Sequence, residues 1–212
     1  MKRHLVILDI ICYLAIPFFM WNHLRESLGD YWAMLLSTVP GFVYTIYRFI
    51  AEKQFNISGL FIISSLLIGT SVNLLSGSAE KMLWNQVYLG FVYAAFYLLT
   101  IIIRRPLAMC FAADFAYLQG HPRKNSLALF SRKELFGGFQ IITLLFVIRF
   151  IFQNSLKAWL ILTYGVDGYG QMLIYMNISG WIFSGLITLG FILIGIKTNK
   201  VVAALYQSSA SS

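Results

Sequence analysis

The chain has 212 residues, 59% of them hydrophobic and 11% charged, whereas a soluble domain carries about 25% charged residues. A net charge of +8 would suit a nucleic-acid partner, but the basic side chains sit between apolar runs and form no aromatic-basic binding module, which argues against nucleic acid. Apolar stretches near the roughly 20 residues that cross a bilayer core recur along the chain, and the composition selects an integral membrane protein.

Lys2 and Arg3 precede the first apolar run. Pro17, Phe18, Phe19 and Met20 stand where a small-residue cleavage site would follow, so the run reads as an uncleaved first span, Leu5–Trp21. The next spans are Tyr31–Phe49, Ile57–Leu75 and Asn85–Ile103. Pro17 and Pro40 fall inside the first two and can kink them. Pro106 ends the fourth helix. Leu107–Leu118 is apolar except for Asp114 and reads as a helix lying at the inner interface. Gly120, His121 and Pro122 make a turn. Ser131 with Glu134 is a capping-box pattern before the fifth span, Leu135–Phe152. Ser155–Tyr164 is too short to cross alone; it either extends the fifth helix or lies at the interface. Gly165, Asp167, Gly168 and Gly170 mark a turn before the sixth span, Met172–Ile196, and Ser208–Ser212 is a polar, disordered tail. The expected fold class is all-α: a polytopic membrane helix bundle of about six transmembrane helices, one transmembrane domain over residues 1–207, with an interfacial helix between the fourth and fifth.

Orientation follows from the basic residues. Arg104, Arg105, Arg123, Lys124, Arg132 and Lys133 lie in the central stretch. With the N-terminus inside, they share one side with Lys2, Arg3, Arg48, Lys53, Lys197 and Lys200. The other side keeps Arg25, Lys81 and Lys157. The positive-inside rule then places both termini in the cytoplasm.

Charges inside spans are costly and mark candidate sites. Asp9 lies roughly 6 Å into the first span and Arg149 roughly 21 Å into the fifth, at 1.5 Å per residue, so the two do not pair. Arg48 and Arg104 end spans on the side of Asp9, and Asp9, Arg48 and Arg104 form a candidate polar cluster; snorkelling of both arginines to headgroups is the competing reading. Arg149 either faces a polar interior and binds an anion or reaches the far headgroups. Arg105, Arg123, Lys124, Arg132 and Lys133 are candidate contacts for anionic headgroups. Ser58, Ser64, Ser65, Thr70, Ser71 and Asn73 give the third span a polar character. Gly180, Ser184 and Thr188 recur every four residues on the sixth, where packing against a neighbouring helix is the plain reading. Cys12 and Cys110 offer neither a disulfide framework nor metal-ligand spacing. His4, His23 and His121 are scattered, no phosphate loop or zinc motif occurs, and no catalytic residue, metal or cofactor is expected.

One pattern is more specific. The fourth span is approached by Trp84-Asn85 and ends in Arg104-Arg105-Pro106-Leu107. Asp9 and Pro17 lie in the first span, Pro40 in the second and Arg149 late in the fifth. Together they resemble a family of small bacterial multi-pass inner-membrane proteins akin to the intracellular septation protein A group, which shares the Arg-Pro-Leu end to a span. The resemblance covers about Asp9 to Ile196, and the second half here is longer than in the septation proteins. It implies a bacterial plasma membrane and an envelope or septation link, and it carries no catalytic residues. The leading expectation is a non-enzymatic scaffold in envelope assembly or septation, with anionic lipid headgroups on the cytoplasmic side and a second copy or envelope proteins as partners. The alternative is a small oligomeric transporter or channel for a small polar solute or ion, using Asp9, Arg149 and the polar faces of the third and sixth spans. A lipid-modifying enzyme is the third.

Overall fold

A computed structural model describes residues 3–51 and 56–210; Lys2, Lys53, Ser211 and Ser212 lie outside them. The described residues are helical, without a strand: α1 (Arg3–Ile10), a π-helical turn (Ile11–Ala15), α2 (Ile16–Ala51), α3 (Ile57–Leu75), α4 (Ala79–Ile102), α5 (Leu107–Leu118), α6 (Arg123–Phe130), α7 (Lys133–Tyr164), a 3-10 turn (Val166–Gly168) and α8 (Tyr169–Ala210). Five helices among them are long and apolar enough to cross a membrane, within Ile7–Ala51, Ser58–Leu75, Ala79–Ile102, Lys133–Tyr164 and Val166–Leu205. Their outward faces are apolar: Leu75 is 85% exposed, Leu162 76% and Ile102 68%. Apolar surface on this scale needs a lipid or protein neighbour. The protein is an all-α polytopic membrane helix bundle.

The first two expected spans are one helical run bent back on itself. Gly29 (φ 77°, ψ 164°) interrupts α2 in a conformation open almost only to glycine. On either side the legs return antiparallel. The Tyr13 ring lies against Gly41, where a Cβ would meet it at 2.9 Å; the Tyr13 hydroxyl bonds Thr45 Oγ1 at 2.7 Å, and Tyr13 meets Tyr44 edge-on at 5.6 Å. Gly29→Ala is expected to destabilise this hairpin by about 1–3 kcal/mol, read as a lower unfolding temperature in detergent; an unchanged temperature would show that the bend is not held at Gly29. Pro17 has no N–H for the Tyr13 carbonyl four residues back. The chain widens into the π-helical turn just before it, as helices do where their hydrogen-bond ladder is interrupted, and the Tyr13 carbonyl accepts from Asn177 Nδ2 at 3.3 Å.

The residues group into two compact units. The first takes Met1–Val92 and Ile151–Trp181. Its core holds Trp21, Met34, Met82, Leu83, Leu160 and Met172. The second takes Tyr93–Phe150 and Ile182–Ser212, with a core of Met109, Phe130, Leu135, Phe139, Ile142 and Ile187. Each therefore draws on both sides of the central basic stretch.

Ser155–Tyr164 extends the fifth helix, because nothing between Gly138 and Gly165 breaks it; Gly165 (φ 59°) does. α8 runs on to Ala210, through Ser208 and Ser209 of the expected tail, since Ala203, Ala204 and Leu205 are good helix formers. The capping box does not form. Ser131 closes α6 instead, and its hydroxyl donates to the Leu127 carbonyl at 2.7 Å. Nor does the stripe on α8 pack as one face: Gly180 is buried, but Ser184 and Thr188 are exposed.

Candidate functional site

Polar side chains come together at three places within the units. The first is the α1–α2 hairpin. Arg48 Nη1 lies 3.4 Å from Asp9 Oδ1, because the bend sets the two legs in antiparallel register. The pair is about one-third exposed on each side, so it contributes at most about 1 kcal/mol. The Arg48 guanidinium also lies 5.9 Å from the Tyr44 ring centre. Arg104, the third member of the expected cluster, belongs to the second unit. It is exposed and left-handed (φ 57°). Its N–H bonds the Ile101 carbonyl at 3.0 Å and the Arg105 N–H bonds Thr100 at 2.9 Å. This is a Schellman stop, closed by Pro106.

The second place is the α5–α6 pair. Pro106 gives α5 no side-chain cap; the Ala108 N–H bonds Thr143 Oγ1 of α7 at 3.2 Å. That contact turns Ala108, Met109 and Ala113 inward. Asp114 is buried too, and Arg123 Nε donates to its Oδ1 at 2.7 Å across the Gly120–Pro122 turn. Arg105, Lys124, Arg132 and Lys133 are exposed, whereas Arg123 is engaged with Asp114. Burial pushes the Cys110 thiol up, with Arg123 and Arg105 opposing and Asp114 assisting. A thiol of this kind reacts slowly. Arg149, in the same unit, is half-buried and lies within electrostatic reach of Tyr97. The Tyr97 ring stacks on Phe146 at 5.1 Å.

The third place lies in the first unit, and sequence reasoning passed over most of it. Lys157 Nζ donates to Gln86 Oε1. Gln86 Nε2 donates to Asn73 Oδ1 at 2.8 Å. These side chains come from α7, α4 and α3 and form a continuous polar row across three apolar helices. The α3–α4 turn extends it: Asn85 Nδ2 donates to Ser76 Oγ at 2.9 Å, and the Tyr31 hydroxyl reaches the carbonyls of Asn73 and Leu74 at 3.1 and 2.9 Å. One turn deeper, Asn154 is buried against Gly90, where a Cβ would overlap its amide. Glycine is what lets α4 and α7 approach here. Arg25 bonds Asp30 at 2.6 Å and also Asp167, with its guanidinium 5.0 Å from the Trp21 ring centre. The clamp ties the Gly29 bend to the turn after α7.

Lys157 stands seven residues before the end of α7 at Tyr164, roughly 10 Å along the helix axis. The residue is half-buried, with its ammonium shielded from bulk water. Among the described residues no carboxylate lies within ion-pair distance of it. An ammonium has three N–H donors, and Gln86 takes one. The arrangement can therefore hold an acceptor or an anion. Among the described residues no group of acidic, histidine and cysteine side chains could hold a metal ion.

No family model matches the chain. No curated protein and no solved structure is similar to it.

Proposed function

We propose that the protein works by binding: it is a multi-pass protein of the bacterial plasma membrane, with both termini cytoplasmic, that holds or passes a small polar solute or ion. The row Lys157–Gln86–Asn73 supports this reading. Three polar side chains bonded in sequence across apolar helices are expensive in a bilayer, and ion and solute pathways are where such groups are used. The excess of Lys and Arg in the segments shared with the termini supports the orientation. It would set the α3–α4 end of the row toward the cell exterior.

The test is water access. In a chain with Cys12 and Cys110 replaced by serine, Gln86→Cys is expected to react with an impermeant maleimide added outside intact cells. The rate should be at least about tenfold that of lipid-facing Val92→Cys, since thiolate chemistry needs water and access. Equal protection of the two positions would sink the reading.

The scaffold reading rests on another observation, the Schellman stop at Arg104-Arg105-Pro106-Leu107 that carries the likeness to the septation proteins. On that reading Arg105, Lys124, Arg132 and Lys133 meet anionic headgroups on the cytoplasmic side, and copurification of division or wall-synthesis proteins with the full chain is the expected result.

A further inference from the structure

Lys157 has more binding capacity than the chain uses. Its ammonium spends one donor on Gln86, and Gln86 is itself fixed by Asn73 at 2.8 Å, so the lysine head is held in place and not free to sweep. Charge balance is the second observation. Arg25 satisfies two carboxylates, Asp30 and Asp167, while among the described residues none lies within ion-pair distance of Lys157. An ionised group that is partly withdrawn from water and lacks a counter-charge is costly, and one within a membrane-crossing helix is a functional site by default. The third is setting: the residue is half-buried and its ammonium is shielded from bulk water, where a bound anion gains more than it would at an open surface.

We propose that Lys157 is the anchor of an oxyanion site, in which a phosphate or carboxylate group accepts the donors left over from Gln86 and supplies the negative charge that the unit withholds. A lysine serves phosphate as a point charge, and the amide behind it sets where that charge sits. The group could arrive on a free solute or on a lipid headgroup. The inference rests on the polar row being a binding site reached by water.

The experiment uses the full chain in uncharged detergent. Sodium phosphate and sodium acetate are each compared with sodium chloride at equal ionic strength, and thermal unfolding is followed. One of the two is expected to raise the unfolding temperature by a few degrees at about 100 times its dissociation constant. Lys157→Gln should weaken that binding at least about tenfold, one lost charge-assisted contact, while Lys157→Arg keeps most of it. A shift seen only with phosphatidylglycerol vesicles, absent with phosphatidylcholine, and lost in Lys157→Gln would support the site and make the headgroup its source. No shift from any of these probes, or an equal shift in Lys157→Gln, overturns the oxyanion site. If Gln86→Cys nevertheless reacts from the water, the polar row stands as a path and only its proposed ligand falls.

Discussion

Replacing Arg123 with alanine is expected to destabilise the second unit by about 2–3 kcal/mol. The Asp114 side chain is only 3% exposed, while that of Arg123 is 33% exposed. Removing the arginine thus takes away the cation bonded to a buried carboxylate. Losing one partner of a fully buried pair costs about 3–5 kcal/mol, and the partial exposure of Arg123 lowers that. Arg123→Lys keeps the charge but loses the planar fork, and should cost about half as much. In the Arg123→Ala chain, adding Asp114→Asn should recover part of the loss, because a neutral amide costs less to bury than a carboxylate. Unfolding midpoints in detergent read all three. A neutral Arg123→Ala would mean that the pair does not hold α6 onto α5. The same pair fixes which α6 side chains face outward, among them Lys124, so if these residues meet headgroups the variant should also change binding to anionic vesicles.

Gly90→Ala is the second large effect, and its sign runs against helix propensity. Alanine for glycine inside a helix ordinarily gains about 1 kcal/mol. At Gly90 the new Cβ would overlap the Asn154 amide, which is buried and has no open space to swing into. Overpacking costs about 1–3 kcal/mol, and displacing a buried amide from its partners costs about 1–3 more. The net expectation is a loss of about 2–3 kcal/mol. Gly185→Ala provides the control, because nothing lies within 4 Å of its Cβ position. It should be neutral or slightly stabilising. In Gly90→Ala the α4–α7 spacing widens one turn from Lys157, so Gln86→Cys reactivity should rise in that background. Removing the obstacle with Asn154→Ala should relieve the overpacking and recover part of the stability; no recovery at all would place the strain elsewhere.

Much of the architecture was legible because single residues enforce it locally. Pro106 stops α4 and Gly165 stops α7. The Asn56 side chain, which caps α3 by accepting from the Gly59 N–H at 2.8 Å, is a local signal that the sequence reading did not use. Asp9 with Arg48 was legible for another reason: two antiparallel legs joined by a short bend place residues at equal depth. What escaped depended on contacts distant in sequence or on elements too short to announce themselves. The capping box failed because the eight-residue α6 claims Ser131 as its end. Arg123 finds Asp114 only because α5 and α6 fold back over a turn. Lys157 falls outside the expected fifth span because Ser155–Tyr164 is too short to cross alone, and extension of the fifth helix is one of two readings of it. The stronger clue was the lack of any helix breaker from Gly138 to Gly165, which keeps Lys157 on the same helix as Leu160 and Ile161 of the core. Its partner Gln86 lies 71 residues away, and nothing local in the sequence marks that pairing.

At Lys157 a charge is kept within the first unit for what it binds and not for what it stabilises. Lys157→Met tests this most directly, with unfolding measured in detergent without added oxyanion and again with sodium phosphate or acetate. Trading a poorly compensated ion for an apolar side chain of similar length is neutral or stabilising by about 1–2 kcal/mol, even after the Gln86 carbonyl loses its donor. The expected result is therefore a variant at least as stable as the parent that no longer responds to oxyanion. A variant that unfolds more easily by over about 1 kcal/mol, with its oxyanion response intact, would make Lys157 a structural strut and contradict the assignment.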